Sequence, residues 1–458
     1  MALALSRHPF SSTCACSPSR AFTAVRLVLG LLLAWSEIAG AGGPEPLVRL
    51  PEFRRGARRS RTMRAVSVVD HGAKGNGLED DTEAFIEAWK VACSSGGGAI
   101  LEVPAENDYL LKPINFSGPC KSKVVLLIMG TIVAPSNLGI WNHQNTRRWL
   151  YFNRIKDLEV CGEGVIIGKG QQWWARSCKT NASNPCRHAP TALTFHRMRR
   201  LTIQDLTLVN SPQMHMAFTN CAQVQVSRLK VIAPEWSPNT DGIHISSSVS
   251  VAIEDSIIGT GDDCISITGN SSQILIKNLI CEPGHGISIG SLGKSNSNDQ
   301  VRNILVDEAF ISNAENGIRI KTWQGGQGWA RSIVFRKIVM RNVSNPIIID
   351  QYYCDSPHPC QNQTSAVKVE NISFIDIKGT SATKKAIRFA CSDGYPCENI
   401  YLKDIELSLY SGGDADAYCW KASGFSDGSV HPPSCLCNNN LLIQQNVPSS
   451  MPMYSSSS

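Results

Sequence analysis

Between about residue 120 and residue 410, apolar and polar positions alternate in short runs separated by Asn, Gly and Asp. Four runs share one register: Gly242-Ile243-His244-Ile245, Cys264-Ile265-Ser266-Ile267, Gly286-Ile287-Ser288-Ile289 and Gly317-Ile318-Arg319-Ile320. The first three are spaced by 22 residues and the last follows after 31. A second strand type recurs between them, at Val224–Val226, Val251–Ile253, Ile274–Ile276 and Ile304–Val306. Period-two alternation predicts strands whose isoleucines point one way and whose intervening residues point the other. Coils of this length, each giving short strands to stacked sheets, predict an all-β, right-handed parallel β-helix. A propeller needs a longer repeat and a leucine-rich horseshoe needs Leu columns, and neither fits.

Upstream, Ala84, Phe85, Ala88, Trp89 and Ala92 share one helical face behind the capping-box spacing of Asp80 and Glu83. This predicts a short helix capping the apolar N-terminal end of the solenoid. The apolar run Val124–Val133 is short and β-branched, so it reads as buried strand.

Charge divides the chain. Residues 1–64 carry ten Arg against three acids, whereas the remainder is close to neutral. Attraction for an acidic partner must therefore be local, and nothing points to nucleic acid. Arg20 and Arg26 precede an apolar run Leu27–Trp35 and small residues at Ala39–Ala41, the layout of a secretory signal. The expected division is a signal peptide at 1–41, an Arg-rich linker or pro-segment at 42–64, the β-helix at 65–440 and a disordered tail at 441–458. The stretch beyond about 420 already has the composition of a tail. No membrane span is expected in the mature form.

The 17 cysteines include the close pairs Cys178/Cys186, Cys354/Cys360 and Cys391/Cys397 and the group Cys419/Cys435/Cys437. They read as small disulfide loops. The odd number predicts a free thiol, Cys221 or Cys161. Sequons at Asn115, Asn181, Asn270, Asn342, Asn362 and Asn371 fit secretion.

Chemistry comes from what flanks the repeated strands. Asp241, Asp263 and His285 each lie two residues before the first isoleucine of successive coils. With strands about 4.8 Å apart, they should form one column. Asp262 adjoins Asp263, and Arg319 and Lys321 take outward positions one coil later. A lone Asp at such a turn would be structural, and Asp262-Asp263 could be a calcium loop, but no ladder of acidic ligands accompanies it. Paired carboxylates suit glycosidic cleavage, one as protonated acid and one as base. Arg and Lys suit a substrate that carries carboxylates.

Ser237-Pro-Asn-Thr-Asp-Gly242, Gly261-Asp-Asp-Cys264, Gly284-His-Gly286 and Arg319-Ile-Lys321 resemble, in order, the four signature motifs of polygalacturonases, the pectin-degrading glycoside hydrolases of family 28. The resemblance implies the pectin lyase-like solenoid and a monomeric enzyme of the plant cell wall. It implies inverting hydrolysis of homogalacturonan with no metal and no cofactor. It makes Asp262 the general acid, Asp241 and Asp263 the residues that hold and deprotonate water, and His285 the tuner of the acid. Arg319, Lys321 and Tyr353 would bind galacturonate, with Tyr352 a neighbouring possibility. Asn239 would shape the water site, and Cys264 would pair with Cys281. Glu282 replaces the family's Gly and would add a negative charge near His285. Trp323 and Trp329 could stack on sugars or simply pack. Endo action is favoured over exo. The rivals are a calcium-dependent pectate lyase, a silent pectin-binding protein and a rhamnogalacturonan or xylogalacturonan hydrolase.

Overall fold

The computed structural model describes residues 63–141, 147–356 and 358–437, with Val48 and Pro51 besides. The expected signal peptide, nearly all of the Arg-rich segment and the tail at 441–458 lie outside these residues.

Every strand-to-strand pairing is parallel within two sheets, of 19 and 11 strands, that wrap one apolar core. This is the predicted β-helix, and its crossovers take the right-handed sense that twisted parallel strands impose. In the smaller sheet Ile243 pairs with Ile265, Ile265 with Ile287, Ile287 with Ile318 and Ile318 with Ile347. All five are fully buried. Each contributes about 2–3 kcal/mol of apolar burial, which fixes the register, because a slip of one residue would expose the whole column. The second strand type stacks as expected, Val224 on Val251 on Ile274 on Ile304. Toward the N-terminus the neighbouring column, that of Ile245, turns aromatic, with Phe116, Phe152, Phe195 and Phe218 stacked at 4.7–5.6 Å.

Asn and Asp are abundant because the corners need them. Asp255, Asn278, Glu308, Lys337, Asp376 and Asp404 form one column of positive-φ residues, one per coil. Asn270, Asn342 and Asn371, each opening a sequon, also sit at left-handed corners. Asn and Asp tolerate that conformation better than most side chains.

The helix Thr82–Cys93 buries the five predicted residues, and Trp89 meets Phe116 edge-on at 5.2 Å. Its start differs from expectation. The N-cap is Asp81, whose carboxylate accepts from the backbone of Lys74 at 2.6 Å and Gly75 at 3.2 Å, while Asp80 accepts from the Thr82 amide. The spacing of a capping box is present, but the preceding turn claims the carboxylate.

Val124–Val133 is two strands, Val124–Ile128 and Thr131–Val133. They are separated at Gly130, where a Cβ would lie 2.3 Å from the Pro104 carbonyl oxygen. Within the described residues, the stretch from 421 to 437 is not a tail. Ala422–His431 is a strand paired with Cys397–Leu409, and Cys435 is tied to Cys419. Composition misled because a terminal coil has one face in water.

The three close cysteine pairs and Cys264–Cys281 are disulfides, and Cys93–Cys120 joins the helix to the solenoid. Cys221 is free and buried, as expected; Cys161 is disulfide-bonded, which corrects the alternative, and Cys437 is free. Among the described residues no helix is long and apolar enough to cross a membrane.

Candidate active site

The register that stacks the isoleucines also stacks what precedes them. The Gly242 amide donates to the Asp263 carbonyl at 2.9 Å, and the His285 amide to the Asp262 carbonyl at 2.8 Å. The turns must be thin to allow this. A Cβ on Gly261 would lie 2.1 Å from the Ser237 carbonyl oxygen, and Gly286 combines φ of 76° with a carbonyl 2.1 Å from its missing Cβ. The motif glycines are therefore steric requirements of the stack. The Cys264–Cys281 disulfide ties the second coil of the site to the strand that leads into the third.

One groove of about 440 Å³ is lined by all eight residues expected from sequence: Asp241, Asp262, Asp263 and His285 with Asn239, Arg319, Lys321 and Tyr353. Asp263 is the most tightly held. Oδ1 accepts from Ser288 Oγ at 2.7 Å and from Arg319 at 2.7 Å, and Oδ2 accepts from Lys321 Nζ at 2.7 Å. Arg319 Nε also donates to Ser288 Oγ at 3.0 Å. The two cations expected to serve the substrate are thus first engaged in neutralising Asp263. Both retain donors for a ligand, since an ammonium has three and a guanidinium five.

Asp241 has no cation in direct contact among the described residues. Its Oδ2 accepts from Ser266 Oγ at 2.8 Å, and that oxygen lies 2.8 Å from Nδ1 of His244. Since the serine spends its proton on Asp241, Nδ1 of His244 is the donor. Burial pushes His244 down to about 4, so it is neutral and carries one N–H to give. Burial, with the charges of Asp262 and Asp263, raises Asp241 well above the ordinary carboxylate range.

Asp262 behaves oppositely. Burial would raise it, but the His285 contact and charge, with Lys321, outweigh burial and hold its carboxyl low. Its Oδ1 accepts from the Asp263 amide at 2.7 Å and its Oδ2 from Asn239 at 3.3 Å. His285 sits between two acids, Nδ1 at 3.5 Å from Asp262 and Nε2 at 3.2 Å from Glu315. Burial would lower it, yet Asp262, Glu315 and Asp263 together raise it. The His285 contact thus holds Asp262 toward its ionised form while His285 itself is raised toward its charged form, and Asp241 is raised toward its protonated form.

Several expectations change. Glu282 does not charge the surroundings of His285. It is occupied by Ser312 at 3.0 Å, Asn313 at 2.9 Å and Arg341 at 3.3 Å. The acid beside His285 is Glu315, which sequence reasoning missed. His244 was missed too, although its place between Ile243 and Ile245 marks it as outward. Tyr353 lines the groove with Lys321 5.3 Å over its ring, whereas Tyr352 turns to Asp393 at 3.0 Å. Trp323 packs edge-on against Tyr353 at 5.6 Å, and Trp329 lies in the larger sheet with Arg331 4.1 Å over its ring. Packing accounts for both.

Asp262, Asp263 and His285 offer donor atoms within 4.8 Å of one another, close enough to enclose a metal ion. Both oxygens of Asp263 already face cations, however, and His285 is raised toward its charged form. That donor set repels a further cation.

Residues 93–428 match the model for glycosyl hydrolases family 28. A probable polygalacturonase of Arabidopsis thaliana is 53% identical over 436 residues, covering 94% of this chain and 98% of its own length. A polygalacturonase of Persea americana is 50% identical, covering 77% of this chain and 76% of its own. An endo-xylogalacturonan hydrolase of Aspergillus tubingensis shares the fold, with a TM-score of 0.68 at 22% identity, over 80% of this chain and 100% of its own. With its fold, its four motifs and these relatives in agreement, the chain belongs to family 28 of the glycosyl hydrolases, among plant-type polygalacturonases.

Proposed function

We propose that this enzyme hydrolyses α-1,4-galacturonosidic linkages inside homogalacturonan, with inversion, as a secreted monomer acting on pectin in the cell wall. The single observation that carries the reading is the stack of Asp241, Asp263 and His285 on successive coils, with Asp262, beside a buried Arg319 and Lys321. Asp263 balances only one of the two buried cations, and a chain of uronates supplies a partner for the other. The polygalacturonases among its relatives support the same substrate.

In the proposed cycle a galacturonate carboxylate reaches the remaining donors of Arg319 and Lys321 beside Tyr353. Its charge weakens the hold that keeps Asp262 ionised. His285 passes its Nδ1 proton to Asp262, which then protonates the leaving glycosidic oxygen. Protonating Asp262 removes one of the charges that raise Asp241, so Asp241 releases its proton to solvent and becomes a free carboxylate. Asp241 can then join Asp263 in holding a water and taking its proton. Asn239, bonded to Asp262, keeps the acid facing the scissile bond.

The test is the product profile on de-esterified polygalacturonate in the presence of EDTA, beside an Asp262→Asn control. Saturated oligogalacturonides from the wild type and none from the control are expected. Unsaturated products that require calcium would replace hydrolysis by a lyase reaction. Activity confined to xylogalacturonan or rhamnogalacturonan would change the substrate.

A further inference from the structure

Two loops that share no coil meet above the groove. The first joins Ile167 to Thr191 and so rises from the edge of the smaller sheet where strands begin, the edge that carries Asp241 and His285. The second follows Asp350 and leaves from the opposite edge, beyond Lys321. From the strand Thr191–His196 to the strand Asn345–Asp350 there are six successive pairings. The roots are therefore about 29 Å apart along the solenoid axis at 4.8 Å per coil. Yet Lys179 of the first loop forms an ion pair with Asp355 of the second. Both side chains line the groove that holds the acids.

The arms are stiff and the clasp is weak. Cys178–Cys186 closes the first loop and Cys354–Cys360 the second. Trp174 anchors the first arm, buried, with Nε1 donating to the Ser211 carbonyl at 3.1 Å and its ring 5.3 Å from Trp236. Buried Gln351 anchors the second, donating to the Val367 carbonyl at 2.8 Å. Between them stands one ion pair whose side chains are 47% and 38% exposed. Such a pair contributes about 0–1 kcal/mol and opens readily.

We propose that Lys179 and Asp355 form a latch across the groove, which opens to admit an internal stretch of polyuronate and closes over it so that one encounter yields several cleavages. This rests on the hydrolase reading above. A polymer lying along the axis passes beneath the clasp, whereas a short oligomer occupies the acids without needing it.

The experiment compares the wild type, Lys179→Asp, Asp355→Lys and the double exchange on polygalacturonate and on trigalacturonate. The readout is reducing ends released per unit fall in viscosity. Each single reversal should lower that ratio at least threefold and cost more kcat/KM on the polymer than on the trimer, and the double exchange should restore the ratio. The two reversals change the groove's charge in opposite senses. If they shift the ratio in opposite directions, the residues act as independent charges and the latch is overturned. Wild-type ratios in both single variants, equal losses on trimer and polymer, or no recovery in the double exchange would also overturn it. A wild type that releases no saturated product from either substrate would instead overturn the underlying hydrolase assignment.

Discussion

Asp241 and Asp263 occupy one column on neighbouring coils, and each accepts a bond from a serine one coil further on. What stands behind the serine differs. Ser288, bonded to Asp263, is backed by Arg319, with Lys321 on the second oxygen. Ser266, bonded to Asp241, is backed only by the neutral ring of His244. The same residue type in the same register thus becomes a charge-balanced carboxylate in one place and a carboxyl raised toward its protonated form in the other. Position in the repeat supplies the geometry, and the next neighbour out supplies the chemistry.

The largest effect should come from Asp263→Asn. Activity on polygalacturonate should fall about 10³-fold or more, as for loss of a catalytic carboxylate. Arg319 and Lys321 would be left buried without a counter-charge, costing about 3 kcal/mol of stability, measured by urea unfolding at pH 7. Asp241→Asn should lose a comparable share of activity but gain stability at neutral pH, on the order of 1 kcal/mol. The sign follows from the raised carboxyl. The folded state binds that proton more tightly than the unfolded chain does, so native Asp241 contributes less stability as pH rises above the unfolded value. The gain in the variant should therefore vanish below about pH 4. Equal destabilisation of the two variants at pH 7 would erase the contrast.

His244→Phe sharpens the same contrast from behind. It removes the donor that orients Ser266 while keeping the outward ring, and kcat should fall about tenfold with KM little changed. The smallest expected effect is at Glu315→Gln. Glu315 helps keep His285 protonated, so its loss should move the basic limb of the kcat/KM profile to lower pH and leave the plateau nearly intact. A limb that stays in place would remove Glu315 from the network.

How much of this was legible varies with the distance over which the cause acts. The isoleucine columns and the neighbouring Asp241, Asp263 and His285 could be counted off because each coil returns the chain to the same place about 4.8 Å higher. His244 stood in plain view at an outward position, but its role appeared only once Ser266 was seen between it and Asp241. Glu282 was misread because adjacency in sequence does not set direction. Its carboxylate turns to Ser312 and Arg341 on the larger sheet. The strand Ala422–His431 was hidden by a polar composition that a half-exposed final coil does not contradict.

The sequence by itself determined the β-helix, its register and the eight acids, cations and partners it named for the groove. Those follow from local alternation, corner residues and a constant rise per coil. Only the tertiary structure decided which carboxyl burial raises and which an imidazole holds low, which cations are already committed, and that Lys179 meets Asp355 across 176 residues. Burial, charge coupling and the meeting of loops depend on distances between chain segments, and a linear pattern does not contain them.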